Sequence, residues 1–199
     1  MPLADQFQRV TAGLFFWQAF DPAVQVDLSC CARRTGRGLV FIDPIPLADS
    51  ALAELSGREN PAAIILTNAN HARAAADFRQ RFSIPILAHA DAVAALGLAV
   101  DQEIADGETV LDTFSVITLP GAAPGEIALH AEGVLHVGDA LIHLPSTGFA
   151  PLPDKYCTDP RELRAALGKL LRFPCEVLTF AHGLPLVILA RQRLADLLA

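Results

Sequence analysis

The chain is 199 residues long, 52% hydrophobic and 19% charged, with a formal net charge of −7. Length and apolar content fit one compact globular domain, residues 1–199, able to bury a substantial core. The negative balance, with no basic cluster denser than Arg33, Arg34 and Arg37, argues against nucleic acid as a partner, because displacing counterions from phosphates needs a positive surface.

No apolar run reaches the roughly 18 residues that cross a bilayer, so no membrane partner is expected. The opening residues MPLADQFQRV lack a basic segment followed by an apolar one, and the expected location is the cytoplasm. Cys30, Cys31, Cys157 and Cys175 form no C-x-x-C pair. They read as buried thiols in a reducing compartment rather than a zinc knuckle or redox dithiol.

From Phe7 to Ile42 the pattern is β. An aromatic extended run, Gly13 to Phe20, turns at Asp21-Pro22. Val24, Val26 and Leu28 then alternate with Gln25, Asp27 and Ser29. A second turn at Thr35-Gly36-Arg37-Gly38 leads into the apolar strand Leu39 to Ile42, ended by Asp43-Pro44. Leu47, Ala51, Leu52 and Leu55 mark a helix stopped by Gly57, and Pro61 precedes a strand to Leu66. After a polar turn, Thr67-Asn68-Ala69-Asn70, His71 stands where a helix is expected to begin, with Ala72, Ala75, Ala76 and Phe82 as its buried stripe. Ile84 to Ala88 predicts a strand and Asp91 to Leu98 a short helix.

Strand signals return from Ile104 to Leu135, broken at Asp106-Gly107, Pro120 to Gly125 and Glu132-Gly133. A Pro-rich loop, Leu144 to Lys155, follows. Asp159-Pro160-Arg161-Glu162 is a helix start, with aspartate as cap and proline in the first turn. Cys175 to Phe180 predicts a last strand, and an amphipathic helix is expected from Pro185 through Leu198. Two β-plus-α halves imply an α/β fold with two sheets face to face and helices outside, a four-layer αββα sandwich.

Four turns stand out: Thr67 to Arg73, Pro120 to Gly125, His136-Val137-Gly138-Asp139 and Ala181-His182-Gly183. In order and spacing they resemble the site-forming turns of the metallo-β-lactamase superfamily. That family typically shows T-H-x-H-x-D-H, then T-P-G-H-x-x-G, then a G-D after a strand, then G-H-G. The resemblance implies the αββα sandwich and a hydrolase that activates water on metal.

The chain departs from the pattern at most first-metal positions. Asn68 and Asn70 stand where histidine and aspartate are expected, and Ala122 stands where the second turn has histidine. Alanine cannot ligate and asparagine is a poor zinc ligand, so a conventional two-zinc centre is not expected. The second-metal positions survive in His71, Asp139 and His182. The resemblance therefore implies at most one zinc or other divalent ion, or none, held by His71, Asp139 and His182 with Asn70 assisting. Asp139 and His182 would be the catalytic pair, acting on an ester, thioester or amide.

Candidate substrate contacts are Asn68, Arg73, His143 and Tyr156, each with a plainer alternative. Asn68 and Asn70 read more readily as caps of the following helix, Arg73 and His143 as surface residues, and Tyr156 as a packing residue. His89, His130 and His136 read as structural. A second reading of the whole chain is a non-catalytic member of the fold, binding a small molecule or protein without metal. Substrate and oligomeric state stay open.

Overall fold

The computed structural model describes residues 1–199. Its first sheet runs in chain order from β1 (Gln8–Thr11) through β2 (Leu14–Asp21), β3 (Val26–Thr35), β4 (Gly38–Ile42), β5 (Pro61–Leu66) and β6 (Ile86–His89) to β7 (Gln102–Ile104). β1 to β4 form an antiparallel meander, whereas β4 to β7 pair in parallel. The parallel steps need crossovers, and the chain supplies α1 (Asp49–Arg58), α2 (Ala75–Phe82) and α3 (Ala90–Leu96) between those strands.

The second sheet has the order β14 (Val177–Phe180), β11 (Val134–Val137), β10 (Ile127–Ala131), β9 (Phe114–Thr118), β8 (Thr109–Val110). Only β11 and β14 are parallel, joined through a hairpin of β12 (Leu141–Leu144) and β13 (Gly148–Pro151) and then α4 (Pro160–Leu167). The chain ends in α5 (Ala190–Leu197). No helix is long and apolar enough to cross a membrane.

Strand parity sets the layers, because successive side chains leave opposite faces. In β4, Leu39 and Phe41 join the core under the helices, while Val40 and Ile42 face the other sheet. β5 repeats this, with Ile64 and Leu66 outward and Ala63 and Ile65 inward. From the second sheet, Phe114, Val116, Ile127 and Leu129 meet them. Ala128, Leu135, Val137, Leu178 and Phe180 pack outward against Leu163, Leu167 and Leu194 of α4 and α5. The result is the expected αββα sandwich. Cys30 and Cys31 lie on opposite faces of β3, both buried, and all four cysteines are free.

Three expected elements differ. α2 begins at Ala75, four residues beyond His71, and its first turn has no side-chain cap. The loop Leu144 to Lys155 is largely the β12–β13 hairpin, whose turn is closed by Gly148 at φ +71°. The segment after Pro185 is not helical until Ala190. Leu186 first bridges to Leu178 beside β14, and Leu189 takes a left-handed conformation.

Candidate metal centre

The parallel strands β4, β5, β11 and β14 end at one edge of the sandwich, and the residues that follow them build the site. Ligands of open α/β sheets gather at such carboxyl ends. Asp43 follows β4, Thr67 follows β5, Gly138-Asp139 follows β11 and Ala181-His182 follows β14. The turns that the sequence separates by more than a hundred residues meet here: His71 Nε2 and His182 Nε2 each lie 3.3 Å from Asp139 Oδ1. One ligand atom from each of His71, Asp139 and His182 falls within 4.8 Å of the others. His71 is fully buried, and His182, with its side chain 18% exposed, is the most open of the three.

The proton positions on the imidazoles follow from their partners. His71 Nδ1 is 2.9 Å from Asp43 Oδ2, and Asp43 also accepts the Thr67 hydroxyl at 2.5 Å and the Thr67 backbone N–H at 2.8 Å. His182 Nδ1 lies 3.0 Å from the Asp27 carbonyl oxygen. Both partners only accept, so both Nδ1 atoms carry hydrogen and donate it. In the neutral rings each Nε2 then holds a lone pair turned toward Asp139 Oδ1. That oxygen is buried and has no hydrogen-bond partner despite the two 3.3 Å approaches. Three lone pairs converge on one point, an arrangement that calls for a cation or a proton.

A tetrahedral zinc with bonds of roughly 2.0–2.2 Å separates neighbouring ligand atoms by roughly 3.3–3.5 Å, so both measured edges fit. The Asp43 carboxylate behind His71 and the carbonyl behind His182 supply the outer support that metal-binding imidazoles commonly have.

Electrostatics agree with a site short of positive charge. Burial opposes ionisation of Asp43, yet the His71 charge, the nearby His136 ring, the hydrogen bond from His71, and Arg73 hold its carboxyl far below the usual range. Asp139 is likewise held low, because His71 and His182 outweigh its burial. Burial and then Arg73 push His71 down, but Asp43 and Asp139 prevail and carry it up to about 9. Glu126 is raised to about 8 by burial and then by the Asp139 charge.

The remaining expected residues divide. Asn68 is buried beside the trio, with Nδ2 on Glu126 Oε2 at 2.7 Å and on Asp139 Oδ2 at 3.0 Å. It does not cap α2, since the chain spends Asn68 to Ala74 in turns before helix starts. Asn70 is exposed on the same turn, and its backbone N–H donates to Asn68 Oδ1 at 2.8 Å. Arg73 neither floats in solvent nor stands free for an anion. Its guanidinium donates to the carbonyls of Ser29 (2.7 Å), Asp43 (3.2 Å) and Ala181 (3.3 Å), tying β3 to the turns after β4 and β14.

His143 leans on the last turn through Nδ1 and the Leu184 carbonyl, 2.8 Å apart, with its ring against Phe149 and Phe180. Tyr156 is 63% exposed and carries Lys155 Nζ 4.6 Å above its ring, with no hydrogen bond joining it to the trio. Ala122 is packed in the outer core of the second sheet.

Sequence reasoning passed over Asp43, Thr67, Glu126 and His136. Asp43 had a usable signal, an acid directly after a wholly apolar strand. His136 is read as structural, and its parity in β11 turns it between the sheets, where Nε2 lies 3.7 Å from Asp43 Oδ2 and Nδ1 2.8 Å from Thr179 Oγ1. Nothing in the local pattern marked Glu126.

A four-layer αββα sandwich with imidazoles and a carboxylate gathered at its strand ends is a metal-binding, hydrolase-like framework. The chain belongs to the metallo-beta-lactamase superfamily, whose family model matches residues 8–197. Solved structures of similar shape include DIM-1 metallo-beta-lactamase (TM-score 0.76, 13% identity, 98% of each chain covered). FIM-1 from Pseudomonas aeruginosa in the mono-zinc form is another (TM-score 0.76, 17% identity, 100% of this chain and 95% of that one). A mutant flavo di-iron protein from Thermotoga maritima also matches (TM-score 0.74, 15% identity, 100% of this chain and 62% of that one). At these identities the likeness carries the fold alone. No curated protein matches the sequence.

Proposed function

We propose that the protein, as one domain over residues 1–199, is a hydrolase of the metallo-β-lactamase fold that works with a single divalent ion, zinc by ligand type. His71 Nε2, Asp139 Oδ1 and His182 Nε2 would hold it. The observation that carries this reading is the partnerless, buried Asp139 Oδ1, 3.3 Å from two imidazole nitrogens whose other ring atoms already donate. When bound there, such an ion supplies a water of lowered pKa for attack on an ester, thioester or amide.

The chain's own groups do the positioning. Asp43 keeps the His71 proton on Nδ1 and so keeps the Nε2 lone pair aimed inward, and the Asp27 carbonyl does the same for His182. Arg73 binds the backbone of β3 and of the turns after β4 and β14, which carry Asp43 and His182. With Asn68 already holding Asp139 Oδ2 and Ala122 built into the core, a second ion has no ligand set of its own.

Zinc content of protein purified without chelator tests the reading. About one ion per chain is expected, and less than about a tenth, unchanged after zinc addition, ends it. His71→Ala, Asp139→Ala and His182→Ala should each abolish both metal retention and hydrolysis. Retained ligand binding with no hydrolysis in any form would leave the non-catalytic reading standing, which Ala122 and the two asparagines favour.

A further inference from the structure

Beside the trio, two buried carboxylates converge on one neutral nitrogen. Asn68 Nδ2 donates to Glu126 Oε2 at 2.7 Å and to Asp139 Oδ2 at 3.0 Å. The amide cannot be turned around, because its Oδ1 accepts the Asn70 N–H at 2.8 Å. Both hydrogens of the NH2 group are therefore spent on carboxylates. Buried carboxylates this close require a donor, a shared proton or a cation between them.

The other Glu126 oxygen, Oε1, accepts the backbone N–H of Asp139 at 2.8 Å and of Ala140 at 3.2 Å, so Glu126 also grips the turn that carries Asp139. Gly138 makes room for this grip: a Cβ there would lie 2.5 Å from Glu126 Oε1. The consequence is an asymmetric Asp139. Oδ2 is taken by an amide, and Oδ1 alone remains free toward His71 and His182.

We propose that the Asn68 carboxamide stands between Asp139 and Glu126 in the place of a second cation, and so commits Asp139 to one ion. The commitment of Oδ1 rests on the one-ion reading above, whereas the part assigned to Asn68 does not. Asn68 is a positioning residue in this scheme, acting through Asp139.

The test is the number of ions retained per chain. Asn68→Asp exchanges the donor for a third carboxylate of nearly the same shape, and Asn68→His puts a ligand nitrogen there without added charge. Wild type and both variants are equilibrated with excess Zn2+ or Mn2+, passed through gel filtration, and assayed for bound metal and for melting temperature with and without the ion. At least one variant should fold and retain one ion more per chain than wild type, and its melting temperature should rise more on adding metal.

Equal ion content in wild type and both variants overturns the proposal. So does failure of both variants to fold even with metal present, because a cation should then replace the lost donor. The wild-type content judges the one-ion reading separately. No ion in wild type with one in a variant sinks that reading and sustains the role of Asn68; one ion throughout does the reverse.

Discussion

Asp43 and the Asp27 carbonyl decide what the two imidazoles can do, since each accepts a hydrogen bond from Nδ1–H and leaves Nε2 facing Asp139. Asp43→Asn keeps an acceptor for His71 but removes the charge that orients it. Zinc affinity should fall about ten- to a hundredfold, measured by competition with a chromophoric chelator. The binding itself should depend on pH. In the metal-free protein His71 is raised to about 9, so a metal must displace its proton throughout the neutral range. Zinc affinity, corrected for the chelator, should climb by about tenfold per pH unit up to pH 9 and flatten beyond. A flat profile from pH 6 to 8 would show that His71 is not a ligand.

At the scale of elements, the turns were legible as turns and illegible as partners. The helix start at Asp159 behaves as read, with its carboxylate accepting from the N–H groups of Arg161 and Glu162. Asn68 looked like the same device, yet its side chain reaches Glu126, 58 residues away in the chain. Local preference for capping lost because two buried carboxylates offered the amide stronger partners. Gly138 shows how tightly the β11 turn is fitted, since an added Cβ would also fall 2.6 Å from Thr67 Oγ1. Gly138→Ala should cost about 1–3 kcal/mol, read from denaturant unfolding, and should weaken zinc binding in parallel. Unchanged stability would mean that the turn has slack that these contacts deny.

For the whole molecule, burial and charge act together. Phe41 packs at the centre of the helix-side core, its ring centroid 4.9 Å from that of Phe78, 5.8 Å from Phe82 and 6.4 Å from Trp17. Phe41→Ala should cost about 3–5 kcal/mol, visible in thermal or denaturant unfolding with little change in metal stoichiometry. The site imposes a pH dependence on the metal-free fold. His71, raised from 6.5 to about 9, stabilises fully below 6.5 and loses that contribution as pH rises through 9. Glu126, raised from 4.5 to about 8, acts with the same sign as pH rises through 8. Asp43 and Asp139, held below 3.8, withdraw their contribution only as acid protonates them. The melting temperature of metal-free protein should therefore fall between pH 6.5 and 9, and less so for zinc-loaded protein, where His71 has no proton to lose. Matching slopes in the two forms would contradict this assignment.

The sequence alone determined the sandwich and its layers, because wholly apolar runs such as Leu39 to Ile42 record a strand buried on both faces, and stripes such as Leu163, Ala166 and Leu167 record the buried face of a helix. It also marked His71, Asp139 and His182 as a group, through turns whose residue types resemble a known pattern. Only the tertiary structure decided how those side chains are held: that Asp43 and Asp27 set the two tautomers, that Arg73 laces β3 to two turns, and that Asn68 and Glu126 close over Asp139. Those contacts join residues 13 to 155 positions apart, and a hydrogen bond between distant turns leaves no periodicity along the chain. Such a bond exists only once the two sheets have closed and water has been driven from between their ends.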